Sequence, residues 1–242
     1  MIWRQQNRET MPVVSCQAGR DILPLHDATV MTSELRPADE IPNLITHGLG
    51  LALSVAATLL LMPIVMAGQD LRTILACGVY CLTLILLYAA STLSHTFHDL
   101  DLRRLFRMLD QACIFLLIAG SMTPFAVVFL NQGRWWLFLP VMWGLAGAGV
   151  LFVWYRRNLT GLGKVAYGIL GWLPVVAIRE LSHHAPFGLL LWIVAGGVLY
   201  SVGTIFLAFD RKVRYFHALW HMFVVAGSIC HYVGVLVYIA LR

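Results

Sequence analysis

Two pairs of residues in this chain stand one helical turn apart and carry side chains suited to chemistry. His217 and His221 bracket Ala218-Leu219-Trp220, and Ser91 and His95 bracket Thr92-Leu93-Ser94. Side chains four apart project from one helix face. Both pairs lie at ends of long apolar segments, and Asp110 stands at the opening of another. An ionisable group inside a membrane helix costs on the order of 3 kcal/mol, so such groups mark an ion site, a proton path or a catalytic centre. Three imidazoles, His95, His217 and His221, fit an open zinc site with a fourth position for water. Zinc would bring the pKa of that water to about 7. Asp110 would hold the water and shuttle its proton, and Ser91 would orient a ligand or bond the substrate oxygen. Each motif alone has a plainer account. An isolated His-x-x-x-His is a weak signal. A carboxylate at a helix start is favoured by capping and the helix dipole. A membrane serine can bond a carbonyl one turn back.

The elements that must position these groups follow from composition. Of 242 residues, 60% are hydrophobic and 12% charged, with mean hydropathy +0.78; soluble domains carry roughly 25% charged residues. Seven apolar segments approach the ~20 residues a membrane helix needs: about 43–66, 72–97, 109–130, 134–154, 163–180, 187–208 and 215–241. The fifth is weakest, being short and interrupted by Pro174. An all-α bundle of seven transmembrane helices is therefore expected over residues 40–242, preceded by a polar tail, 1–39, without sustained periodicity. That tail reads as disordered or partly outside the true start, with Met11 and Met31 as alternative starts. It shows no secretory signal pattern, so the first apolar run is expected to act as an uncleaved anchor.

The net charge of +5 does not point to nucleic acid, because the basic residues fall between apolar spans, where they set orientation. Arg103, Arg104 and Arg107, then Arg156, Arg157 and Lys164, then Arg211, Lys212 and Arg214 alternate with sparser loops carrying Arg72, Arg134 and Arg179. This bias predicts a cytoplasmic N-terminus and an outside C-terminus. His95, Asp110, His217 and His221 then all lie at the cytoplasmic end.

The remaining candidates read as less specific. His98 falls in a polar loop and His183 and His184 at the outer end, all as surface residues. His231 is ten residues past His221, roughly 15 Å along a helix, too far to share one ion with it. His26 lies in the tail. Cys16, Cys77, Cys81, Cys113 and Cys230 form no Cys-x-x-Cys pair and read as small hydrophobes rather than disulfides or ligands. Glu40, Pro42, Asn43, Thr46 and His47 read as a helix start, with Pro42 as breaker and Asn43 as cap. They share the cytoplasmic end and could wall the same cavity.

Three blocks carry a family resemblance. They are Glu40, Asn43, Thr46 and His47; Ser91 to His95, continued by Leu109-Asp110-Gln111-Ala112-Cys113-Ile114 and Ile118 to Phe125; and His217 to His221, followed by Val225-Ala226-Gly227-Ser228 and His231. In this order they resemble hemolysin III, the bacterial branch of the progestin-and-adipoQ-receptor family, which includes adiponectin receptors and has alkaline ceramidases as distant relatives. Gln111 and Ser121-Met122 depart from the usual pattern without touching a proposed ligand. The resemblance implies seven spans, zinc on His95, His217 and His221, and Asp110 and Ser91 beside it. It also implies a role with membrane lipids: hydrolysis of an acyl or amide bond, as in ceramidases.

Two other readings stay open. A pore-forming, haemolytic protein would need a wet lining, yet midspan stretches such as Leu82 to Leu87 and Leu189 to Leu199 offer few ionisable groups. A lipid-state sensor or receptor could use the same pocket with a structural zinc. A retinal pigment is not expected, since Lys164 and Lys212 are the only lysines and both read as loop residues.

Overall fold

A computed structural model describes residues 37–156 and 161–242. The expectations for the first 36 residues, including His26 and Cys16, and for Arg157, lie outside them. Among the described residues there is no strand, and seven helices are long and apolar enough to cross a membrane. Helices satisfy every backbone N–H and C=O internally, which an apolar solvent demands. Leucines such as Leu59, Leu60, Leu82 and Leu151 remain on the outer surface, where lipid would cover them.

The elements are α1 (Pro37–Gly68), α2 (Leu71–Thr96), α3 (Leu100–Phe129), a 3-10 turn (Gly133–Leu137) leading into α4 (Phe138–Arg156), α5 (Gly161–Trp172), a second 3-10 turn (Leu173–Ala177), α6 (Ile178–His184), α7 (Phe187–Phe209) and α8 (Phe216–Val235), which ends in a π turn (Leu236–Ala240). The axis is α3: 67% of its most apolar window is buried, against 22% for the first, fourth, fifth and sixth spans. Lipid tails are as apolar as leucine, so close backbone approach rather than hydrophobic burial must hold such a bundle. At Gly50 a Cβ would lie 2.6 Å from the Tyr88 ring; only glycine lets α1 lie against α2 there.

Two sequence-based boundaries and two residue placements are corrected. The first helix starts at Pro37, so Pro42 lies inside it and Asn43 is not its cap; a proline this near the start forfeits a single intrahelical bond. The third helix starts at Leu100 rather than 109. Asp99 caps it, its Oδ1 accepting from the backbone N–H groups of Asp101 and Leu102 at 3.1 and 2.9 Å. Asp110 is thus an interior residue of the helix, and the capping account of it fails. Arg103, read as a loop charge, is buried and paired with Glu40 of α1. Lys164 is likewise no loop residue: it sits in the first turn of α5 and its Nζ donates to the Leu207 carbonyl at 3.0 Å.

The interruption expected at Pro174 is present. Helix geometry fails over Leu173–Ala177 with Pro174 near its start, splitting the fifth span into α5 and α6. Proline supplies no N–H and crowds the preceding turn. The broken span touches α7 only sparingly, and a cavity of about 270 Å³ opens between them and reaches α3 and α8.

Candidate metal centre

Two helix ends bring three imidazoles together at one end of this cavity. His95 lies in the last turn of α2. His217 and His221 occupy the first two turns of α8, one turn apart as their spacing predicts. Each offers a ligand atom, and these atoms lie within 4.8 Å of one another. The ring centroids are 4.5 Å apart for His217 and His221, 5.2 Å for His95 and His221, and 5.5 Å for His95 and His217.

Each imidazole is oriented from behind through Nδ1. That of His95 donates to Glu40 Oε2 at 2.6 Å. That of His217 donates to Asp210 Oδ2 at 2.9 Å. That of His221 meets Thr46 Oγ1 at 3.2 Å, a hydroxyl already within reach of the Pro42 carbonyl at 2.9 Å and the Asn43 carbonyl at 3.0 Å. Thr46 can donate its one proton to these carbonyls and accept from His221. A carboxylate or an engaged hydroxyl behind Nδ1 fixes the tautomer and leaves Nε2 with its lone pair free, the arrangement in which imidazole binds metal. Three neutral nitrogen donors suit zinc among the first-row metals.

The supports are themselves anchored. Glu40 is tied to Arg103 and lies 3.9 Å from Arg107. Asp210 and His217 flank a tight turn in which Tyr215 adopts φ 65°, a left-handed conformation that non-glycine residues rarely take. Burial pushes the Asp210 carboxyl up, but the hydrogen bond from His217, with the charge of Lys164 nearby, outweighs it and holds it below its ordinary range. The contribution of this contact is complete above the ordinary carboxylate pKa and is lost only as pH falls through the depressed folded value. Asp210→Asn is expected to weaken metal binding about 10- to 100-fold, read by competition with a zinc chelator at neutral pH.

Asp110 lines the cavity together with His221 and His47. Its neighbours include Ser91, fully buried, and His217. The Ser91 hydroxyl makes no bond back to its own helix, so the plain account of a membrane serine does not hold here. All five residues picked out by type and spacing therefore gather at this end of the cavity.

Four further groups belong to it that spacing alone did not assign a role. Glu40 and Thr46 were read only as neighbours of the site, and Asp210 was not singled out. His47 is 2% exposed, stacks on His221 at 3.5 Å between centroids, and meets the Tyr88 ring edge-on at 5.2 Å. Neither of its ring nitrogens has a hydrogen-bond partner. The signal for this group was the spacing of Glu40, Asn43 and His47, three and then four residues apart along one helix face. His98, His183 and His184 are exposed, as expected. His231 lies deeper in the same cavity. Cys77, Cys81, Cys113 and Cys230 are free thiols, the first three buried.

A family model described as haemolysin-III related matches residues 36–232. Hemolysin-3 of Bacillus cereus is 39% identical over 205 residues, covering 83% of this chain and 92% of that protein. A Hemolysin-3 homolog of Bacillus subtilis is 34% identical over 204 residues, covering 83% and 94%. The human monocyte to macrophage differentiation factor is 24% identical over 172 residues, covering 66% and 69%.

Proposed function

The chain belongs to the haemolysin-III-related family of multi-pass membrane proteins, and from that premise we propose that it is a zinc-dependent hydrolase of an acyl or amide bond in membrane lipids. The observation that carries this reading is the junction of three Nδ1-anchored imidazoles, a cavity-facing carboxylate and a largely apolar cavity. By the positive-inside bias the site faces the cytoplasm of a bacterial inner membrane. Its role is in membrane lipid homeostasis.

Zinc, when bound, supplies Lewis acidity and a water that ionises near neutrality. The chain's own residues do the rest. His95, His217 and His221 hold the ion, and Glu40, Asp210 and Thr46 keep their Nε2 atoms converged. Asp110 takes a proton from the attacking water and returns it to the leaving group, a general base that becomes a general acid. Ser91 fixes the Asp110 carboxyl. Apolar residues from Ile114 to Leu181 take the acyl chain and exclude bulk water, which strengthens the polar contacts at the reacting end.

The test is release of free fatty acid, measured by mass spectrometry, from ester-linked and amide-linked acyl lipids in nanodiscs containing zinc-loaded protein. Release by wild type and none by His217→Ala is expected. No release from either class by zinc-occupied wild type would contradict the reading. The name of the two bacterial relatives favours a second reading, a lytic protein. That reading requires dye leakage from vesicles that persists in Asp110→Asn.

A further inference from the structure

The fifth span opens with a cation that turns inward. Lys164 is half-buried, and its Nζ donates to the Leu207 carbonyl at 3.0 Å, across 43 residues of chain. Leu207 lies in the last turn of α7. Carbonyls there lack a partner further along the helix and form the negative end of its dipole, where an ammonium is favoured. Lys212, in the loop that follows α7, stays exposed, as a charge that only sets orientation would. Orientation alone does not explain the inward course of Lys164.

Three residues beyond Leu207 stands Asp210. Lys164 is close enough for its charge to act on that carboxylate. The carboxylate accepts from His217 Nδ1 at 2.9 Å, and its side chain is 17% exposed. Charges so covered are screened less than surface pairs. An ammonium has three donors; one goes to Leu207 and two remain. The chain of contacts thus runs from α5 through Lys164 and Asp210 to His217. Asp210 and His217 belong to one turn, whereas Lys164 reaches that turn from a different span. The fifth span touches α7 only sparingly elsewhere, so few other contacts could do the same.

Resting on the zinc reading above, we propose that Lys164 is a positioning residue of the metal centre. Its ammonium ties the start of the fifth span to the end of α7 and holds the Asp210 carboxylate against His217. Metal affinity then depends on a residue that touches none of the three imidazoles, through the stance of α5 against α7.

The test measures zinc affinity of full-length protein in nanodiscs, by competition with a chromophoric chelator at neutral pH. Lys164→Met keeps the length of the stem and removes the charge. It is expected to weaken binding about 3- to 10-fold, less than loss of a direct support because it acts through Asp210. Lys164→Arg, which keeps a permanent cation, is expected to come within about 2-fold of wild type. Lys212→Met is expected to leave affinity unchanged. In an Asp210→Asn background Lys164→Met is expected to cost nothing more, since two residues on one path are not additive. Lys164→Gln serves the same comparisons if the methionine variant does not fold. Wild-type affinity in Lys164→Met would overturn the proposal. So would an equal loss in Lys212→Met, or a full further loss in the Asp210→Asn background. Folded wild type that takes up no zinc would overturn the metal reading itself, and so separates the two.

Discussion

Asp110→Asn is expected to retain the bound metal and lose turnover by about 10²- to 10⁴-fold, the span general acid–base catalysis supplies. Asparagine has the shape of aspartate and can still meet Ser91, but it cannot take a proton from water at neutral pH. The residue sits ten positions into its helix, faces the cavity and has no capping duty, since Asp99 performs that. Its placement inside a span is costly, and the proton transfer proposed above would account for it. Zinc content and initial rates on the same preparation check this together. Equal rates with full zinc would remove Asp110 from the mechanism.

Glu40→Ala is expected to cost about 3–5 kcal/mol of stability, as removal of one partner from a buried ion pair does. Glu40 accepts from His95 with one oxygen and from Arg103 with the other, and both of those side chains are at most 9% exposed. Losing the carboxylate deprives the buried Arg103 guanidinium of this anion and frees His95 to rotate. Metal affinity should fall with it, by about 10- to 100-fold. A lower Tm in detergent, narrowed by saturating zinc, is the signature. Ligand binding to the folded state alone raises apparent stability by mass action. Glu40→Gln keeps the shape and is expected to lie between wild type and alanine.

The contrast between Asp110 and Glu40 shows what a chain of this kind reveals before it is folded. Apolar run length located every span, and Pro174 marked the broken one. The start of α3 was hidden because Asp99, Asp101 and Arg103 look like solvated loop charges. They are a cap, an exposed first-turn acid and a buried partner of α1. That last role depends on a contact across 63 residues, which no local pattern encodes. The clustering of three histidines was legible because helix periodicity and the alternation of spans bring His95, His217 and His221 to one end. Asp210 was not, because its approach to His217 depends on a left-handed Tyr215 in the intervening turn, a conformation its residue type disfavours. His47 was seen but not placed, since stacking on His221 follows from how α1 packs through Gly50. Positions set by backbone periodicity could be read in advance. Those set by helix-to-helix approach could not.

His95, His217 and His221 are proposed to hold one zinc ion. Elemental analysis of full-length protein, purified without chelator, beside His95→Ala, His217→Ala and His221→Ala tests it most directly. About one zinc per chain in wild type and almost none in each folded variant is the expected result. Folded wild type free of zinc after equilibration with it, or a full complement retained by any of the three variants, would contradict the account.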